Sequence, residues 1–243
     1  EIFGKNRKLG EVGEAKAGLQ TGDNNRFLRL WNEVSFTKIG YNMANSQEAL
    51  ESKKKWFPCN KGGEVRKWYG NQEYLVNWEN DGYEIKDLKN AVVRNPNYYF
   101  RECISWGLIT SGGSSFRYFP KGFIFDISAV TYFIEKKERE ILGVLNSKYF
   151  LELSQIINPT INFSNGVFAL LPALFTQNEK FNKLVEENID ISKEEWDSRE
   201  TSWDFEKLSL VDGKDLKTAY ENYCDYWRDN FVQLHKNEEE LNR

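Results

Sequence analysis

The first two thirds of the chain alternates short apolar runs with turn residues. Tyr74-Leu75-Val76-Asn77-Trp78, Ala91-Val92-Val93 and Gly122-Phe123-Ile124-Phe125 are brief and rich in aromatic or β-branched side chains, as strands are. Asn80-Asp81-Gly82, Asn95-Pro96-Asn97 and Ser111-Gly112-Gly113-Ser114 punctuate them with residues that favour turns. Residues 44–55 predict one helix, bounded by Pro58. From 135 to 157 the period changes: Leu142, Leu145, Tyr149, Leu153 and Ile156 recur at helical spacing until Asn158-Pro159. Residues 160–163 and 169–172 read as short extended pieces closing a first unit near residue 178.

The remainder is acidic and helical. Ser192 and Glu195 have the spacing of a capping box. After Asp212-Gly213, residues Leu216, Tyr220, Tyr223, Trp227, Phe231, Leu234 and Leu241 follow a three-four rhythm, which predicts one long helix with a single packing stripe. The expected fold class is mixed α+β: a strand-rich unit over 1–178, then a helical segment over 179–243.

Composition narrows the class. In 243 residues, 40% hydrophobic and 15% aromatic content supports a sizeable core and excludes a disordered chain. No run approaches the roughly 18–20 apolar residues that span a bilayer, so no membrane partner is expected. Cys59, Cys103 and Cys224 are widely spaced, without a C-x-x-C pair. That pattern points away from disulfides and zinc and towards a reducing cytoplasm. The one histidine, His235, sits among Lys236, Glu238, Glu239 and Glu240, a poor setting for a general base. The start at Glu1, and an end at Arg243 without a stop signal, predict a piece of something longer, truncated at its C-terminus.

The net charge of −4 hides an asymmetry. Residues 1–120 carry 18 basic and 14 acidic side chains, and residues 121–243 carry 15 against 23. Between 53 and 67, Lys53, Lys54, Lys55, Lys61, Arg66 and Lys67 face Glu64 alone. Screening beyond about 8–10 Å lets such a patch outweigh the total. Trp68, Tyr69 and Asn71 follow it, and basic groups interleaved with aromatics suit nucleic acid. The competing reading is a solvated hairpin with its tryptophans in the core.

Three other motifs carry groups capable of chemistry. Asn95-Pro96-Asn97-Tyr98 approaches the D/N-P-P-Y of amino-methyltransferases, but Asn97 stands where the second proline should be. No glycine-rich cofactor loop precedes it, so it reads as a plain turn. Ser111, Ser114, Ser115 and Arg117 form a polar loop that could reach bases or phosphates, or could simply be a surface loop. Gly18-x-x-Thr21-Gly22-Asp23-Asn24-Asn25-Arg26-Phe27 packs amide, hydroxyl and guanidinium groups into one turn without naming a ligand.

These stretches resemble a known family. G-L-Q-T-G-D-N-N-R-F, K-W-F-P-C-N-K-G-G-E-V-R-K-W-Y-G-N, N-W-E-N-D-G and S-S-F-R-Y-F-P-K-G-F-I-F-D look like the C-terminal part of PglX-type adenine-specific DNA methyltransferases of BREX phage-defence systems. L-G-V-L-N-S-K, N-P-T-I-N-F, W-D-S-R-E-T-S-W-D-F and N-E-E-E-L-N-R fit the same region in the same order. The resemblance implies a target-recognition domain similar to those of type I restriction specificity subunits, non-catalytic by itself. It implies double-stranded DNA and the protein's own N-terminal methyltransferase domain as partners, with other defence-system subunits as further candidates. No cofactor is expected in this chain, and S-adenosylmethionine would belong to the catalytic part. The DNA-facing candidates become Arg26, Arg29, residues 53–71 and residues 111–118. Lys53, Lys54, Lys55, Lys61 and Lys67 suit phosphates, Arg66 and Arg117 suit guanine, and Asn71 suits adenine. A divergent complete methyltransferase and an aromatic-rich protein- or carbohydrate-binding module stand as alternatives.

Overall fold

The computed structural model describes residues 5–109, 113–158, 160, 162–176, 178–211 and 214–243. The chain opens with a short helix α1 (Leu9–Val12), strand β1 (Glu14–Lys16), helix α2 (Asn24–Phe27) and strand β2 (Leu28–Leu30). Helix α3 (Ser46–Glu51), strands β3 (Trp56–Asn60) and β4 (Tyr74–Asn77) and helix α4 (Glu79–Lys86) follow. Four strands come next: β5 (Cys103–Gly107), β6 (Arg117–Phe119), β7 (Ile124–Phe125) and β8 (Ala129–Phe133). The last helices are α5 (Glu138–Leu145), α6 (Lys148–Ile157), α7 (Asn165–Ala169), α8 (Glu179–Asp197) and α9 (Leu216–Leu241). The fold is mixed α+β with a helical C-terminal part, as expected.

The strands form two four-stranded sheets, ordered β1-β8-β5-β6 and β2-β4-β3-β7. The first is antiparallel throughout, whereas β3 and β7 of the second run parallel. The first sheet packs on the helices: Trp106, Phe116, Tyr132, Leu145, Phe168, Val185 and Trp196 share one buried cluster. A second cluster, with Phe57, Trp78, Tyr99, Phe100, Phe119 and Phe125, draws on both sheets. Removing this much aromatic area from water is the main stabilising term.

Several predicted elements are shorter than the pattern implied. The helix of 44–55 reduces to α3, where Asn45 accepts from the Glu48 amide and Lys53 turns to φ 53°. Ala91-Val92-Val93 yields a single bridge between Val92 and Gln20. The helix over 135–157 is two, because Asn146 leaves it: its amide donates to Phe116 O and accepts from Phe116 N. Ser147 then caps α6 by accepting from Phe150 N. Ala169 ends α7 instead of starting an extended piece, and only Pro172 bridges, to Lys8. Asn162 forms one bridge with Ile109, while Ile161 lies outside the described residues, as do Asp212 and Gly213.

Ser192 and Glu195 are not a capping box. They lie inside α8, whose cap is Asn178, accepting from Lys180 N and Phe181 N. The long C-terminal helix is present, capped by Asp215. Its stripe is only half covered: Trp227 and Leu241 are buried, but Leu216 and Tyr220 are exposed.

Candidate nucleic-acid interface

Much of the basic stretch turns inward. Between β3 and β4 the chain runs as a loop along the edge of the first sheet, where Trp68 bridges Arg117 of β6. Arg117 starts β6, opposite Ser105 of β5. Its side chain is 1% exposed and reaches beneath the loop. There Nη1 donates to Glu64 O and Arg66 O at 3.2 Å each, and Nη2 to Gly62 O at 3.4 Å. Burial, and then the neighbouring Arg66 charge, push the guanidinium down to about 10. Arg117 therefore clamps the loop and does not present its guanidinium to guanine in this structure.

The loop's other candidates are drawn into the same scaffold. Trp68 and Tyr69 are buried, and Trp68 N donates to Phe116 O at 2.9 Å. Asn71 Nδ2 donates to Glu64 O at 2.9 Å, and Ser115 Oγ accepts from Arg66 N at 3.0 Å. The stacking and base-reading roles foreseen for these side chains conflict with this packing. Ser114 is half-buried, and Ser111 lies outside the described residues.

The acidic helices hold what the loop offers outward. Arg66 pairs with Glu195 of α8 and lies over the Trp196 ring, 5.1 Å from its centroid. Glu195 also takes Arg199. Glu238 of α9 receives Lys67 Nζ at 3.1 Å and the Trp68 indole N–H at 2.8 Å. The sequence showed opposite charges in the two halves but not that they meet.

A second basic group stays at the surface. Lys53 is exposed, and no described residue pairs with its side chain. Lys54 Nζ donates to Thr37 O at 2.5 Å, and Lys55 pairs with Glu79 at 3.4 Å. Arg29 Nη1 bonds Asn25 O and Leu28 O, with its guanidinium 5.8 Å from the Trp56 ring centroid. Lys55 N donates to Lys38 O, which brings exposed Lys38 to the same end of β3. Sequence reasoning missed Lys38, because only this cross-chain bond places it there. Arg26 sits apart, paired with Glu84 at 2.8 Å.

Lys61 belongs to neither group. Its ammonium lies 2.9 Å from Asp126 Oδ1, whose residue is 2% exposed. Asp126 and Thr21 both line a cavity with Lys61. Both stand in motifs quoted above, but nothing in their spacing shows that they meet.

The near-methyltransferase motif is a turn with its polar groups engaged. Asn95 has φ 52° and donates to Ala17 O at 2.8 Å, while the Tyr98 hydroxyl donates to Glu14 at 2.7 Å. The Tyr98 ring is also flanked by Lys16 Nζ and the Arg101 guanidinium, 4.7 and 5.1 Å from its centroid. Among the described residues no glycine-rich turn leads from a parallel strand into a helix. No metal-binding cluster and no helix long and apolar enough to cross a membrane occur among them.

No family model matches the chain. It is 39% identical to the adenine-specific methyltransferase BrxX of Escherichia coli O9:H4 (strain HS), over 97% of the chain. It is 36% identical, again over 97%, to the adenine-specific methyltransferase PglX of Lacticaseibacillus casei (strain Zhang). The chain spans only 19% and 21% of those curated relatives. Among solved structures, the type IIL restriction-modification enzyme MmeI in complex with DNA matches with a TM-score of 0.52 at 13% identity. That match covers 97% of this chain and 32% of MmeI, and shows a shared fold. The resemblance read from the motifs thus holds along nearly the whole chain.

Proposed function

We propose that this chain, which matches about a fifth of the PglX-type adenine-specific methyltransferases, is the part of such an enzyme that recognises double-stranded DNA. The observation that carries this reading is a fold shared with one third of MmeI, an enzyme solved on DNA, in a chain related to methyltransferases. The chemistry would reside elsewhere in the protein, together with S-adenosylmethionine, and the setting would be cytoplasmic phage defence. The methyltransferase part of the same polypeptide and other defence subunits are its further partners.

The surface best suited to phosphates lies where β3 begins: Arg29, Lys38, Lys53, Lys54 and Lys55. Ammonium groups on flexible stems neutralise phosphates without demanding one geometry. Arg66, Lys67, Trp68, Tyr69, Asn71 and Arg117 instead fasten the loop that follows β3. A labelled random-sequence duplex titrated with the chain over roughly 50–200 mM salt tests the reading. Several neutralised phosphates should make affinity fall steeply with salt. Binding indifferent to salt, as an aromatic sugar site would give, would count against it.

A further inference from the structure

Three segments running in one direction end side by side at the β7 edge of the second sheet. Cys59 and Asn60 of β3 lie parallel to Ile124 and Phe125 of β7, and Leu19 pairs in parallel with Asp126. The residues just beyond, Lys61 and Ile127, line an open cavity of about 240 Å³ together with Gln20, Thr21, Gly22 and Asn24. At ~30 Å³ per water that is room for on the order of eight waters, and so for the edge of a base.

The cavity is held rigid from behind. Fully buried Asn60 donates to Ser105 Oγ at 2.7 Å and accepts from Gly62 N at 3.2 Å. Ser128 Oγ lies 2.7 Å from Lys61 O and 2.5 Å from Asp126 Oδ1, and Ser128 N donates to the same carboxylate oxygen. Thr21 Oγ1, 2% exposed as a residue, donates to Asn24 Oδ1 at 2.6 Å. The Asn24 amide is thereby oriented, with its oxygen engaged and its NH2 group left over.

What remains is one acceptor beside a set of donors. No described group pairs with Asp126 Oδ2 or with Asn24 Nδ2, and the Lys61 ammonium keeps protons beyond the one given to Asp126. A phosphate fits poorly, because the Asp126 carboxylate cancels the lysine charge at short range. In the major groove, guanine presents two acceptors, thymine an acceptor and a methyl group, and cytosine an amine donor. Adenine alone sets an amine donor beside a ring acceptor.

We propose that this cavity receives the major-groove edge of an adenine in the bound duplex. Asp126 accepts from the N6 amine, and the free Asn24 NH2 group donates to N7, with the Lys61 ammonium holding Asp126 in place. The site rests on the DNA-recognition reading above and adds to it a base, an edge and three residues.

The test uses the preferred duplex selected from a random pool. Each adenine is replaced in turn by 7-deazaadenine, which lacks the acceptor, or by unsubstituted purine, which lacks the amine. At one position the wild-type chain should lose about 5- to 150-fold in affinity with either analogue. Asn24→Ala should shrink the 7-deaza penalty at that position. Asn24→Asp keeps the acceptor for Thr21 but faces N7 with a second acceptor, so it should bind the natural site worse than the 7-deaza site. Thermal melting of both variants shows whether the fold is intact. Wild-type affinity indifferent to every analogue, or full discrimination retained by folded Asn24→Ala and Asn24→Asp, overturns the adenine site alone. Failure of the wild-type chain to bind any duplex overturns the DNA reading with it.

Discussion

Lys67 and Glu238 are 171 positions apart in the chain and 3.1 Å apart in space. The same carboxylate takes the Trp68 indole N–H, so one glutamate of α9 anchors two consecutive loop residues. Arg66 repeats the arrangement on α8 through Glu195. The acidic helices thus pair with two of the six basic side chains of the cluster, Arg66 and Lys67, and fasten the loop that follows β3.

Glu238→Ala should destabilise the protein by about 1–3 kcal/mol, the scale of lost charge-assisted hydrogen bonds in a half-buried site. It should also free Lys67, raising the salt slope of random-duplex binding by about one. Urea unfolding and the anisotropy titration measure the two effects separately.

Arg117→Met should cost about 3 kcal/mol, because it leaves the carbonyls of Gly62, Glu64 and Arg66 without the donor beneath them. Arg117→Lys should recover little, since an ammonium lacks the planar fork that serves three oxygens. A lowered urea midpoint at unchanged slope is the expected signature.

Lys53→Ala acts on the other basic group. It should leave the melting temperature unchanged, weaken all duplexes alike and lower the salt slope by about one. A loss confined to the preferred sequence would instead make Lys53 a base-reading residue.

Alkaline pH should unfold the protein early. Burial pushes up the hydroxyls of Tyr41, Tyr69, Tyr99 and Tyr132 and the thiols of Cys59 and Cys103. Groups that hold their protons more tightly folded than unfolded give stability that is complete below their unfolded values, about 8.5 for cysteine and 10 for tyrosine. That stability is lost as pH rises further. Arg117, lowered to about 10, and Arg66, also lowered by burial, work in the opposite sense, but they are two groups against six. Melting temperature should therefore fall steadily above about pH 9.

Local pattern made some elements legible and could not reach others. The helix Leu216–Leu241 and the strand Tyr74–Asn77 were readable because periodicity alone defines them. The break at Asn146 was not, because its cause is the backbone of Phe116, 30 positions earlier. Ser192 and Glu195 matched a cap by spacing, yet they lie late in a helix whose true cap is Asn178 at its start. At the candidate interface, charge marked the right stretch but not its division. Arg117 beside serines looks like a surface residue until β6 is placed against β5. Lys53 and Lys67 are equivalent in sequence until Glu238 arrives.

The stitching of distant segments also sets a timetable for synthesis. Leu9 N donates to Leu171 O, and Ala173 N to Arg7 O. At roughly 5–20 residues per second, a ribosome takes on the order of 10–30 s to supply the partner that Leu9 needs. During that interval the helix α1 at the start of the chain has no Leu171 to dock on. Early contacts must come from nearer pairs such as β3 with β4, while α1 stays open, within reach of a nascent-chain chaperone, until Leu171 emerges.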